Sequence, residues 1–113
     1  MIIIAGPCVI EDEESVYGIA RELCKTASML KENGIDFIFK ASFDKANRSS
    51  INSYRGVTIE EGVDIFSNIQ KMGLKTTTDI HESWQAEVIA DSVDVIQIPA
   101  FLSRQTDLLK AAA

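Results

Sequence analysis

Four cationic side chains fall within residues 40–56, and their types and spacing favour the binding of an anion. Lys40, Lys45, Arg48 and Arg55 lie in a segment that is otherwise rich in Asn and Ser. Ammonium and guanidinium groups donate charge-assisted hydrogen bonds to phosphates and carboxylates, which would neutralise such a cluster. The competing interpretation is a solvated polar loop. Composition alone leaves both interpretations open.

The polar residues next to Arg48 extend this candidate anion site. Ser49 follows Arg48 directly and adds a hydroxyl donor to the guanidinium fork, a combination suited to a phosphate monoester. Asn47 has two possible roles, to hydrogen-bond a sugar hydroxyl or to occupy a turn. Asp79, further along the chain, either accepts hydrogen bonds at the site or caps the helix that follows it.

The two cysteines and the single histidine define the possible metal chemistry. Cys8 has three open roles: metal ligand, nucleophile or small buried residue. Cys24 falls in the apolar stripe of a predicted helix, and the two cysteines form no CxxC pair, which fits a reducing compartment. His81 has no second histidine at ligand spacing, so we expect it to lie at a helix entry instead of binding a metal.

Charge and hydropathy narrow the class of protein. Seventeen acidic residues against eleven Lys plus Arg give a net charge of −6, which disfavours nucleic acid and anionic membranes as partners. The apolar run Met1–Ile4 has no basic segment before it and is too short for a signal peptide or a membrane span. We therefore expect a cytoplasmic protein.

Apolar runs alternate with amphipathic segments along the chain. Three largely apolar runs predict strands, Met1–Ile4, Ile35–Ala41 and Val93–Ile98, and the first is expected to be fully buried. Leu74–Thr78 is predicted as the third strand, ending at Asp79. A helix is predicted after each strand. The first helix ends at Asn33-Gly34, and the second starts with a Thr58–Glu61 capping box. The third covers Glu82–Ala90, and the last is capped by Ser103. Trp84 and the Phe residues are expected to be packing groups.

The alternation predicts an α/β fold with parallel strands, in a single domain over residues 1–113. Both a small doubly wound sheet and the first half of a (β/α)₈ TIM barrel fit this order. Cys8, Lys40, Asp79 and Gln97 all fall at or just beyond strand ends, which favours the mouth of a barrel. The last helix has no stop signal, so we expect the chain to end before the second half of the barrel.

Four segments resemble a known enzyme family. AGPCVIE at 5–11, FKASFDKANRSS at 39–50, TTDIHESWQAE at 77–87 and IQIPAFLSRQTDLL at 96–109 are similar to 3-deoxy-D-manno-octulosonate 8-phosphate synthases, also called 2-dehydro-3-deoxyphosphooctonate aldolases. The sibling 3-deoxy-D-arabino-heptulosonate 7-phosphate synthases share the barrel and the chemistry. The KANRSS and DIHESWQAE segments favour the octulosonate enzyme.

The resemblance implies a condensation of phosphoenolpyruvate with arabinose 5-phosphate and water, in lipopolysaccharide sugar synthesis. It assigns the phosphoenolpyruvate pocket to Lys40, Lys45, Gln97, Pro99, Ala100 and Phe101, and the pentose phosphate to Asn47, Arg48 and Ser49. It places Asp79 at the reacting end of the sugar, so that the catalytic set is Lys45, Asn47 and Asp79. Arg104 would reach the site of a neighbouring subunit in a homotetramer.

The resemblance also gives Cys8 a role, because metal-dependent members have Cys at this position and metal-independent members have Asn. It implies a divalent ion, Zn²⁺ or Fe²⁺, whose other ligands lie outside this chain. We therefore expect 113 residues alone to be inactive. The alternative is a non-catalytic half-barrel that serves as a folding or assembly module.

Overall fold

The computed structural model describes all 113 residues and contains one four-stranded sheet in which every strand is parallel to its neighbours. The strands are β1 (Ile2–Ala5), β2 (Asp36–Lys40), β3 (Lys75–Asp79) and β4 (Val95–Gln97), in the spatial order β1-β2-β3-β4. The helices are α1 (Glu13–Glu32), α2 (Ile59–Lys71), α3 (Ser83–Ile89) and α4 (Thr106–Ala112). Short 3₁₀ turns cover Ala90–Ser92 and Ala100–Leu102.

The strand order decides between the two architectures that the sequence left open. A doubly wound sheet reverses its strand order at a switch point, whereas a barrel adds each new strand beside the previous one. Here the order follows the chain without reversal. The fold is therefore α/β, with four consecutive βα units in the arrangement of half a TIM barrel.

Local signals set the ends of the two long helices. Asp12 caps α1 by accepting a hydrogen bond from the backbone N–H of Ser15 at 2.8 Å, and Asn33 is the C-cap of α1. Thr58 and Glu61 form the predicted capping box at the start of α2. Each of these contacts satisfies backbone donors that a helix start leaves without partners, so the predicted boundaries are confirmed within a few residues.

The core lies between the sheet and the helices. Phe39 and Phe43 come from β2 and the segment after it, and Phe66, Ile65 and Ile69 come from α2; none of the five is more than 2% exposed. These side chains hold the C-terminal end of β2 against α2. The strand end that carries Lys40 is therefore packed against the fully buried part of the core.

Three expectations about packing were wrong. Ile2 and Ile4 are 60% and 56% exposed, because helices cover only one face of the sheet and these side chains point to the other. Trp84 and Phe101 are about half exposed instead of buried. Ser103 does not cap the last helix: α4 begins at Thr106, and the Ser103 hydroxyl donates instead to the carbonyl of Ala100.

None of the helices has the length and apolar character needed to span a bilayer.

Candidate active site

The ends of β2 and β3 place a lysine and an aspartate in contact. The Nζ of Lys40 lies 2.8 Å from Oδ1 of Asp79, and both side chains are largely buried. Gly6, just after β1, packs closely against the main chain of Lys40. A Cβ on Gly6 would lie 2.0 Å from the carbonyl oxygen of Lys40. Only glycine allows this approach, which brings three strand ends together.

Ser42 links this ion pair to a second lysine. Its hydroxyl accepts hydrogen bonds from Nζ of Lys40 and Nζ of Lys45, each at 2.8 Å, and donates to Oδ1 of Asp79. Ser42 itself is fully buried. Two ammonium groups thus converge on one oxygen atom beside one carboxylate.

Asp79 is a carboxylate at neutral pH. Burial on its own raises the pKa of Asp79, but hydrogen bonds from His81, Lys40 and Ser42 and the charge of Lys40 outweigh burial and lower that pKa well below its usual range. Asp79 therefore accepts hydrogen bonds in the site, and Glu82 with Gln85 caps α3 in its place. This decides between the two roles that the sequence left open.

His81 belongs to this cluster, in addition to its predicted place at a helix entry. It does lie at the entry to α3, where its N–H donates to Gln85, but its Nε2 also lies 3.2 Å from Oδ2 of Asp79. Its side chain is 7% exposed, and its Nδ1 is buried without a partner. The spacing Asp79-Ile80-His81 at a strand end was the signal that could have identified it.

The basic segment after β2 is a loop whose two ends are joined by hydrogen bonds, which we call the loop base. Arg55 makes two hydrogen bonds to the carboxylate of Asp44, at 2.9 and 2.6 Å, and the Lys45 N–H donates to the Arg55 carbonyl at 2.7 Å. Gly56, at φ +127°, completes the closure, because a Cβ there would lie 1.9 Å from the carbonyl oxygen of Phe43. Arg55 is thus a structural residue, which the sequence did not show.

The tip of the loop does not join the cluster. Asn47, Arg48 and Ser49 are exposed, and Arg48 forms no ion pair with a carboxylate of the chain. Of the four cations that the sequence grouped, the structure brings Lys40 and Lys45 together, occupies Arg55 with Asp44, and leaves Arg48 in solvent.

The end of β4 forms the opposite side of the site. Gln97 is the register partner of Asp79, and its carbonyl accepts the N–H of Ile80 at 3.2 Å. The ring of Phe101 stacks on His81 with centroids 6.4 Å apart. Pro99 is buried and Ala100 is exposed between them, while Arg104 is exposed at a cleft that His81 also lines.

Cys8 is a free, exposed thiol beyond the end of β1. A thiolate has the right chemistry for Zn²⁺ or Fe²⁺, but no three His, Cys, Asp or Glu side chains of the chain come together as a ligand set. The residues present thus provide one candidate ligand and not a complete site. Cys24 is partly buried against the core, as its position in the helix predicted.

Two lysines and one carboxylate give the cluster a surplus of positive charge. The groups are largely buried, which strengthens their interaction with any charge that enters. The arrangement therefore suits a small anion bearing carboxylate or phosphate oxygens.

Comparison with known proteins identifies the family of the chain. A model of the DAHP synthetase I family matches residues 1–113. A 2-dehydro-3-deoxyphosphooctonate aldolase from Campylobacter jejuni subsp. doylei is 54% identical over 115 residues, covering 100% of this chain and 42% of the relative. Proteins of the same name from Helicobacter hepaticus and Fusobacterium nucleatum are 54% and 52% identical, with 100% and 99% of this chain and 41% and 40% of the relatives covered.

The chain spans about two fifths of the length of the curated relatives it matches. These relatives carry the name of the family that the four segments resemble, so that resemblance is confirmed. Since the family model covers every residue, the chain belongs to the DAHP synthetase I family.

Proposed function

We propose that this chain contributes one side of the active site of a 3-deoxy-D-manno-octulosonate 8-phosphate synthase. The reaction condenses phosphoenolpyruvate with arabinose 5-phosphate and water and releases inorganic phosphate. The observation that carries the proposal is the convergence of Lys40 and Lys45 on Ser42, beside the ionised Asp79 and at the C-terminal ends of parallel strands. The names of the relatives support it.

The buried cluster is the proposed phosphoenolpyruvate side. Lys40 and Lys45 present ammonium groups to its carboxylate and phosphate oxygens, and the β4 end lines the opposite wall with Gln97, Pro99, Ala100 and Phe101. The exposed loop tip is the proposed sugar side, where Asn47 binds hydroxyl groups and Arg48 with Ser49 binds the phosphoryl group.

The reaction explains why these groups are useful. The enol C3 attacks the sugar aldehyde while water adds at C2, so charge develops next to two phosphates and a carboxylate. Fixed cations stabilise that charge, and holding both substrates in line removes much of the entropic barrier. Lys45 and Asn47 would hold the two reacting ends together, and Asp79 would accept a hydrogen bond at the reacting end of the sugar.

Cys8 would be one ligand of a Zn²⁺ or Fe²⁺ ion whose remaining ligands lie outside these 113 residues. When bound, such an ion supplies a Lewis acid. Arg104, exposed beyond β4, would contact the neighbouring site in a homotetramer. Phosphorylated substrates and two unpaired cysteines fit the cytoplasm as the location.

The experiment is a phosphate-release assay on the natural full-length product and, separately, on the 113-residue chain. We expect the full-length protein to release phosphate from phosphoenolpyruvate with arabinose 5-phosphate and not with a four-carbon sugar phosphate. Preference for the four-carbon sugar would assign the sibling heptulosonate reaction. From the 113-residue chain alone we expect no release. No release from the full-length protein with either sugar, in the presence of divalent metal, would favour the non-catalytic assembly module.

A further inference from the structure

Ser42 is the one hydroxyl that connects Lys40, Lys45 and Asp79, the charged groups of the cluster. It follows β2 directly and is fully buried between two other buried residues, Ala41 and Phe43. Its backbone carbonyl accepts the N–H of Ile10 at 2.9 Å, and the N–H of Ala41 donates to Thr77 at 3.3 Å. The main chain is thus held on both sides, so the hydroxyl has a fixed position.

The hydrogen bonds of this hydroxyl can run in only one direction. Lys40 and Lys45 can only donate, and the ionised Asp79 can only accept. The Ser42 oxygen therefore accepts both lysine N–H groups, and its own proton goes to Asp79. A hydroxyl has one donor and two acceptor sites, so all its sites are used.

These hydrogen bonds determine how many N–H donors of the two lysines remain for a ligand. An ammonium group has three donors: Lys40 uses two on Ser42 and Asp79, and Lys45 uses one on Ser42. One N–H of Lys40 and two of Lys45 stay free. Since both Nζ atoms lie 2.8 Å from the same oxygen, they cannot be further apart than twice that distance.

We propose that Ser42 is a positioning residue of the anion site, whose hydroxyl fixes the two ammonium groups before the anion binds and orients them by donating its own proton to Asp79. The inference rests on the proposed phosphoenolpyruvate site. Ser42 does not touch the ligand: it acts through Lys45, for which it is the only hydrogen-bond partner of the ammonium group. Fixing the cations in advance lowers the ordering cost of binding.

The experiment compares Ser42→Ala, Ser42→Cys and a matched control, Thr78→Val. Thr78 is also a fully buried hydroxyl at a strand end, but its Oγ1 has no hydrogen-bond partner. Each protein is first checked by circular dichroism. The affinity for phosphoenolpyruvate is then measured by calorimetry, and the titration of Asp79 is followed by carboxyl carbon NMR.

We expect Ser42→Ala to weaken phosphoenolpyruvate binding by up to about tenfold, because the cost of ordering the freed lysine side chain then falls on the binding step. It should also raise the pKa of Asp79, because one of the hydrogen bonds that lower this pKa is gone. Ser42→Cys, with a weak donor and acceptor, should fall between Ala and wild type, and it replaces Ser42→Ala should that variant fail to fold. Thr78→Val should leave both quantities unchanged.

The two readouts separate this inference from the function on which it rests. If wild type does not bind phosphoenolpyruvate, the proposed site is wrong for this chain, and Ser42 is then judged by the Asp79 titration alone. If the Ser42 variants titrate like wild type at Asp79, or bind phosphoenolpyruvate as wild type does, the positioning role is wrong. An equal effect from Thr78→Val would also overturn it, because any buried hydroxyl would then have the same effect.

Discussion

The buried cluster and the loop tip carry similar polar groups but hold them in opposite ways. Lys40, Lys45 and Asp79 are fixed by hydrogen bonds through Ser42 at the ends of β2 and β3. Arg48, a few residues further on, is exposed and has no carboxylate partner. The difference teaches that the side chains of the first region are held by hydrogen bonds within the chain, whereas the guanidinium of Arg48 has no carboxylate of the chain to hold it.

The two ends of the loop are joined between these regions, at Asp44, Arg55 and Gly56. A substitution at this junction has the largest expected effect on stability. Gly56→Ala should destabilise the chain by about 3 kcal/mol, because a side chain at φ +127° is strained and its Cβ meets the Phe43 carbonyl. Gly34→Ala is the control: Gly34 also has a positive φ, +71°, but open space around it, and the expected loss is about 1 kcal/mol. Urea unfolding measures both. Equal losses would show that the base is not tightly closed.

Within the cluster, Asp79→Asn should cost about 2 kcal/mol of unfolding free energy, because it leaves the partly buried ammonium of Lys40 without its counter-charge. The folded-state pKa of Asp79 is lowered, so its stabilising effect is complete above the unfolded pKa of about 4 and is lost as the pH falls below it. Urea unfolding of both proteins between pH 7 and pH 3 should show the gap narrowing below pH 4. A gap independent of pH would contradict the charge argument.

The hydrogen bond from His81 to Asp79 is a further contact that holds the buried cluster and not the loop tip. His81→Ala removes the hydrogen bond from Nε2 to Asp79 and should cost about 1 kcal/mol while raising the pKa of Asp79. His81→Gln keeps an N–H donor at a similar distance from the backbone and should restore most of both effects. Unfolding and the Asp79 carboxyl resonance measure the two quantities. Identical behaviour of Ala and Gln would show that the ring acts by packing on Phe101 alone.

Much of the fold could be predicted from the sequence, because local signals determine it. The Thr58–Glu61 capping box, the Asn33-Gly34 stop and the alternation of strands and helices all depend on near neighbours. They were enough to place Lys40 and Asp79 at adjacent strand ends. The exposure of Ile2 and Ile4 was not predictable in this way. A short apolar run has the same sequence pattern whether helices cover one face of the sheet or both faces are covered.

The candidate site was predictable by residue position but not by contact. The sequence grouped Lys40, Lys45, Arg48 and Arg55 by charge, yet only pairing across the loop base could reveal that Arg55 binds Asp44. His81 and Ser42 were missed for the same reason, because their partners lie on another strand or depend on side-chain direction. All the assignments of residues to substrates, and that of Arg104 to a neighbouring site, stay predictions.

The central claim is that the buried cluster binds phosphoenolpyruvate and the exposed loop tip binds the sugar phosphate. The most direct test is calorimetric titration of the full-length protein, as wild type, Lys45→Ala and Arg48→Ala, with each ligand. The account predicts that Lys45→Ala weakens phosphoenolpyruvate binding about tenfold and Arg48→Ala weakens arabinose 5-phosphate binding about tenfold, each leaving the other ligand nearly unchanged. Loss of phosphoenolpyruvate affinity in Arg48→Ala, with that of Lys45→Ala intact, would contradict it.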